Sequence, residues 1–226
     1  MDAEEPDECY MLFNRLFQSV EFTAMYQIPS YMHWLFQMDL DDAYAYHKRQ
    51  LQLLQFKKSG RMVLKSPFHQ LGLDSILKYY PDALIVQQHR APETIVASGC
   101  SFSEILKRPF SDDVDSHDVG KEWLFQLESY TNTFEKARER LESSHPGQFV
   151  DIYYKYFVSD PWLALETIYG HLGEELTGSA RASIQGWIDG NPKGKRGAHS
   201  YSLEDYGLSN ADVDRVFGSY REKYDV

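Results

Sequence analysis

A chain of 226 residues with 42% hydrophobic and 25% charged content lies in the ordinary globular range and is long enough for one sizeable core. Its 34 acidic against 23 basic residues, a formal charge of -11, count against a general nucleic-acid or membrane-surface binder, because long-range repulsion opposes phosphate-rich partners. Any anion site must then be a local cluster of cations. Two cysteines, Cys9 and Cys100, are too few for a disulfide framework, and neither an apolar run of about 18 residues nor a charged-then-apolar leader is present. The expected location is the cytoplasm, unless an upstream segment carries an anchor.

In chain order, residues 7–27 carry apolar positions at helical spacing, and Ile28-Pro29-Ser30 interrupts them. A short helical piece follows over 31–36. A longer helix to about residue 56 can be capped by Asp39 or Asp41, and Lys58, Ser59 and Gly60 stop it. The first 60 residues are therefore expected to be helical.

The period then changes. Residues 61–65 (RMVLK) and 83–88 (ALIVQQ) are short runs rich in branched residues, each followed by a helical pattern, over 69–79 and 92–107. Strand, helix, strand, helix with short links implies parallel pairing through right-handed crossovers. A long polar helix is expected over 117–143 and a third strand over 148–154. A helix follows with Asp160 as N-cap, Pro161 in its first turn and Gly173 near its stop. Helices over 177–188 and 211–224 flank a glycine- and lysine-rich loop. The fold class is α/β, a parallel sheet of at least three strands with flanking helices, in one domain over residues 1–226. Residues 1–60 form a helical cap and 61–226 the core.

Ligands of open parallel sheets bind beyond the carboxyl ends of the strands, where helix N-termini present unpaired N–H groups. The first predicted strand ends in Lys65, with His69 just beyond. The second ends in His89 and Arg90, and Ser98 follows a little over two helical turns on. A guanidinium fork suits a phosphate or sulfate, and a serine hydroxyl adds a donor. Singly, each residue has an ordinary reading. Lys65 can be a solvated strand end, His69 a structural hydrogen-bonding residue, Arg90 a partner of Glu93 or Asp82, and Ser98 a small helix-packing residue. Their joint placement at two strand tips suggests a dianion site.

The segments VLKSPFH, PDALIVQQHRAPETIVAS, DIYYKYFVSDPWLALETIYGHLG and GAHSYSLEDYGL, in this order, resemble sulfotransferases that use 3′-phosphoadenosine 5′-phosphosulfate. The resemblance runs from about residue 7 to the end of the chain. It implies a sheet of the P-loop nucleotide-binding type and sulfuryl transfer to a hydroxyl of a small-molecule or carbohydrate acceptor. In this resemblance Arg90 and Ser98 match the pair that holds the nucleotide 3′-phosphate. Lys65 matches the strand-end lysine near the leaving phosphate oxygen, and His69 becomes the candidate general base. Lys193, Lys195, Arg196 and His199 lie in a loop matching a basic lid, which reads equally well as a solvated surface segment. The scheme requires no metal, and no compact His, Cys and carboxylate spacing suggests one.

Two departures from that pattern stand out. Family members begin with a strand and a glycine-containing turn whose N–H groups cradle the 5′-phosphosulfate, whereas no glycine precedes Gly60 here. The chain is therefore expected to be an N-terminally incomplete domain lacking its first strand, with exposed sheet edges prone to self-association. Ala91 also stands where an acidic or amide residue is usual after the arginine. The alternative function is a catalytically inactive sulfotransferase-like binding protein. Tyr26, Tyr31, Trp34, Tyr44 and Tyr46 can line an aromatic acceptor pocket or be core.

Overall fold

The computed structural model describes residues 7–58, 60–192 and 201–226. Among these, the sheet has two strands, β1 (Ile85–His89) and β2 (Phe149–Tyr153), paired in parallel with His89 opposite Tyr153. Parallel strands need a long crossover, and α6 (Pro92–Lys107) and α7 (Ser116–Leu141) supply it. Pro92 sits in the first turn of α6, and the Asp115 carboxylate caps α7 by accepting from the N–H groups of His117 and Asp118.

Side chains of β2 alternate between two layers. Phe149 packs with Phe134 and Ala137 of α7 and with Leu73 and Leu77 of α5 (Leu73–Tyr79). Val150 and Ile152 pack with Ala164 of α9 (Pro161–His171), which the Asp160 side chain caps as expected. Asp151 points to the α7 side, where it meets Arg138, and Gln87 beside it in the pair accepts from the same guanidinium. Between β2 and α9 runs α8 (Tyr154–Ser159). Thr177 caps α10 (Gly178–Gly190), and a capping box between Ser209 and Asp212 opens α11 (Asn210–Tyr224).

The N-terminal part is helical but more broken than its apolar spacing suggests. It comprises α1 (Tyr10–Phe13), α2 (Glu21–Met25), α3 (Pro29–Phe36) and α4 (Asp41–Leu54). Phe17, in the left-handed region at φ 55°, ends the first turn and prevents one continuous helix. These helices enclose Phe13, Leu35, Ala43, Tyr44, Phe68 and Tyr130 in a second core. Tyr44 is wholly buried, which assigns it to core rather than to an acceptor pocket; Tyr26 and Trp34 stay exposed.

The expected strand over 61–65 is corrected. No strand forms there, and Val63 is 92% exposed. A strand exists only through its partner. The one backbone hydrogen bond made by this segment among the described residues runs from the Cys9 N–H to the Lys65 carbonyl at 2.9 Å. Among the described residues the parallel sheet therefore has two strands rather than at least three. No described helix is long and apolar enough to cross a membrane.

Candidate functional site

At the tip of β1 the structure separates the two expected residues, with His89 buried inside the strand end and Arg90 just beyond it. Arg90 follows the last strand residue, and its guanidinium lies over the ring of Tyr154, 4.3 Å from the centroid, at the neighbouring tip of β2. Among the described residues Arg90 has no carboxylate partner. Glu93, one of the two acids that could have taken it, is paired to Arg221 of α11. The Ser98 hydroxyl, about two turns into α6, likewise makes no hydrogen bond among the described residues.

Behind this tip stands a rigid polar hub. His89 is fully buried and bonded at both ring nitrogens, to Tyr220 Oη at 2.7 Å and to Asp151 Oδ1 at 2.8 Å, with Tyr224 stacked on it at 3.9 Å. Asp151 also accepts from Arg138 at 2.5 and 2.8 Å. These hydrogen bonds, from Arg138 first and His89 next, overcome the opposing effect of partial burial and hold the Asp151 carboxyl well below the usual carboxylate range.

The other predicted tip is arranged differently. Ser66 caps a 3-10 turn over Pro67–Leu71, its hydroxyl accepting from the Phe68 N–H. Lys65 is 70% exposed, with its ammonium on the Glu8 carboxylate. His69 turns inward. Its Nδ1 is bonded to Tyr44 Oη at 2.8 Å, and its Nε2 is buried without a hydrogen-bond partner. Burial, then the neighbouring His47, pushes its pKa down to about 3, so the ring stays neutral and is a feeble proton acceptor. Gly72 closes this segment against Tyr44: a Cβ there would fall 2.3 Å from the Tyr44 ring.

The structure thus pairs Lys65 with Glu8 and His69 with Tyr44, and makes no hydrogen bond or ion pair between these and Arg90 or Ser98. Lys193, Lys195, Arg196 and His199 lie outside the described residues. Two residue groups escaped the sequence reading. Glu8 was not among the candidate residues. Cys9, His47 and His69 come from separate segments, yet their potential ligand atoms all lie within 4.8 Å of one another. Two surface recesses among the described residues lie elsewhere. One, of about 470 Å³, lies between α7 and α11, and the other, of about 210 Å³, lies beside the starts of β1 and β2, the end away from Arg90.

Comparison with known proteins places these features in context. The model of the sulfotransferase family matches residues 1–178, a span that contains Glu8, Lys65, His69, Arg90 and Ser98. The crystal structure of sulfotransferase STF1 from Mycobacterium tuberculosis H37Rv superposes with a TM-score of 0.85 at 34% identity, over 97% of this chain and 56% of that one. Sulfotransferase STF9 from Mycobacterium avium superposes with a TM-score of 0.90 at 27% identity, over 100% of this chain and 57% of that one. Omega-hydroxy-beta-dihydromenaquinone-9 sulfotransferase Stf3 of Mycobacterium bovis is 25% identical over 131 residues, 55% of this chain and 32% of that protein. The chain thus spans a little over half the length of the solved structures and matches about a third of the curated relative.

Proposed function

Because this chain belongs to the sulfotransferase family and has its P-loop-like α/β fold, we propose that it moves a sulfuryl group from 3′-phosphoadenosine 5′-phosphosulfate to a small-molecule hydroxyl. The observation that carries the reading is Arg90, an arginine without a carboxylate partner at a strand tip inside the matched span. Its planar fork and the unbonded Ser98 hydroxyl suit the two-oxygen face of the nucleotide 3′-phosphate. Lys65, whose ammonium already holds one anion, Glu8, suits the leaving phosphate oxygen. The basic residues Lys193, Lys195, Arg196 and His199 remain proposed as nucleotide contacts on the resemblance alone.

The donor supplies an activated sulfuryl group; the protein's part is to position it and to offset charge. For the acceptor proton, the geometry favours Glu8 over His69. Glu8 shares its ion pair with Lys65 at the surface, whereas both ring nitrogens of His69 face the interior. The hydroxylated quinone in the name of Stf3 supports a small-molecule acceptor over a carbohydrate. A cytoplasmic location is part of the same proposal.

The test is direct. Adenosine 3′,5′-bisphosphate titrated calorimetrically into the chain should bind, and Arg90→Ala should weaken it. Labelled sulfate from the donor should then reach a hydroxyl panel, with transfer lost in Glu8→Gln and Lys65→Ala. Binding without transfer would leave the inactive binding protein as the better reading. No binding by folded protein would overturn both.

A further inference from the structure

We propose that Cys9, His47 and His69 form a binding site for a zinc-class divalent cation, a site that neither the family nor the proposed transfer reaction requires. The three residues arrive from the approach to α1, the middle of α4 and the 3-10 turn after Ser66, and their ligand atoms lie within 4.8 Å of one another. Each histidine is already oriented. Nδ1 of His47 is bonded to Tyr80 Oη at 2.7 Å, and Nδ1 of His69 to Tyr44 Oη at 2.8 Å. That leaves Nε2 of each ring as the free ligand atom, and both Nε2 atoms are buried with no hydrogen-bond partner. His47 itself is fully buried.

Two orphaned imidazole nitrogens are costly to bury unless something satisfies them. A cation bound by both would satisfy them, with the tyrosine hydroxyls as outer-shell partners that fix ring direction. The donor set selects the ion. One thiol and two imidazoles, with no carboxylate or carbonyl in the set, suit Zn²⁺ and not Ca²⁺ or Mg²⁺, which take oxygen ligands. Burial pushes the Cys9 thiol pKa up, and the hydrogen bond from the Lys65 main chain offsets this only in part, so a cation that binds here must displace the thiol proton. Such an ion would tie Cys9, and with it Glu8 and the attached Lys65, to α4 and to the turn that carries His69.

The test uses the full, untagged chain. Elemental analysis of protein prepared with Zn²⁺ present and then freed of excess metal should give one ion per chain. Co²⁺ in its place should give the intense visible bands of a tetrahedral site and a near-ultraviolet thiolate-to-metal band, the latter lost in Cys9→Ser. Tyr44→Phe and Tyr80→Phe, which keep all three ligands, should weaken Zn²⁺ binding about 10- to 100-fold. Should Cys9→Ser fail to fold, alkylation of the wild-type thiols read by mass spectrometry still decides: Zn²⁺ should protect Cys9 selectively, with Cys100 as internal control. No bound metal on folded protein, a weak octahedral Co²⁺ spectrum, or Cys9 alkylation indifferent to Zn²⁺ overturns the proposal. None of these readouts depends on sulfuryl transfer.

Discussion

Two segments that read alike as sequence end in different structures. Residues 83–90 and 61–65 are both short, branched runs ending in a cation, yet the first becomes β1 with Arg90 at its tip and the second forms no strand. The difference is what lies beside them. β1 has β2 along one edge and the His89, Asp151 and Arg138 hub behind it. Among the described residues, 61–65 have a single backbone hydrogen bond, at Lys65. Strand propensity is permission to pair, and pairing is non-local.

The largest effect should follow from breaking the hub. Arg138 is nearly buried, and Asp151→Ala leaves it only the half-exposed Glu142 as a carboxylate partner and unpairs one ring nitrogen of His89, which together should cost about 2–4 kcal/mol by urea unfolding. The same carboxylate sets an acid limit. Its folded pKa is depressed, so its contribution is complete above the unfolded value near 3.9 and is lost as pH falls toward the folded one. Stability of the wild type should therefore drop below about pH 4 more steeply than that of Asp151→Ala. Parallel acid titrations followed by circular dichroism would check this, and superimposable curves would remove Asp151 from the account.

A smaller effect separates the two tips by function. If Arg90 holds the 3′-phosphate as proposed, Arg90→Ala should weaken adenosine 3′,5′-bisphosphate binding by about 1.5–3 kcal/mol in calorimetry. Lys65→Ala should weaken it by less, since the bisphosphate keeps the 5′-phosphate oxygen proposed to face Lys65 but the exposed ammonium is already shared with Glu8. Equal losses in both variants would mean that the tips act as one phosphate site and that the proposed division of labour is wrong.

The contrast also marks what was legible. Features carried by a few adjacent residues were readable: the Asp160 cap before Pro161, the Pro92 start of α6, and the placement of Arg90 and Ser98 one strand end and two helical turns apart. The break at Phe17 was hidden because a non-glycine residue takes a left-handed conformation there. The inward turn of His69 was hidden because its partner Tyr44 and its neighbours Cys9 and His47 lie on segments that only the fold brings together. The resemblance that made Lys65 and His69 look like a reacting pair says nothing of which way a ring points.

Packing around that ring sharpens the comparison further. Gly72 lets the backbone approach the Tyr44 ring, and Gly72→Ala should overpack the site by about 1–3 kcal/mol, since Tyr44 is buried and has little room to move. Thermal unfolding should show the loss, and a melting temperature equal to wild type would mean that the ring yields. Tyr44→Phe should cost less, since it keeps the shape and removes one hydrogen bond.

The smallest effect belongs to the segment that failed to become a strand. Val63 is nearly as exposed as in an extended peptide, so Val63→Thr, which keeps the branched shape, should change monomer stability by no more than about 0.5 kcal/mol. Val86, 44% exposed on β1, is the sharper probe of the open sheet edge. If copies of the chain associate through that edge, Val86→Lys should lower the sedimenting mass at high concentration while Val63→Thr leaves it unchanged, because a charge blocks strand addition and a threonine does not. Should Val63→Thr shift the mass as strongly as Val86→Lys, residues 61–65 pair between copies, and the segment finds in a second molecule the partner it lacks in its own.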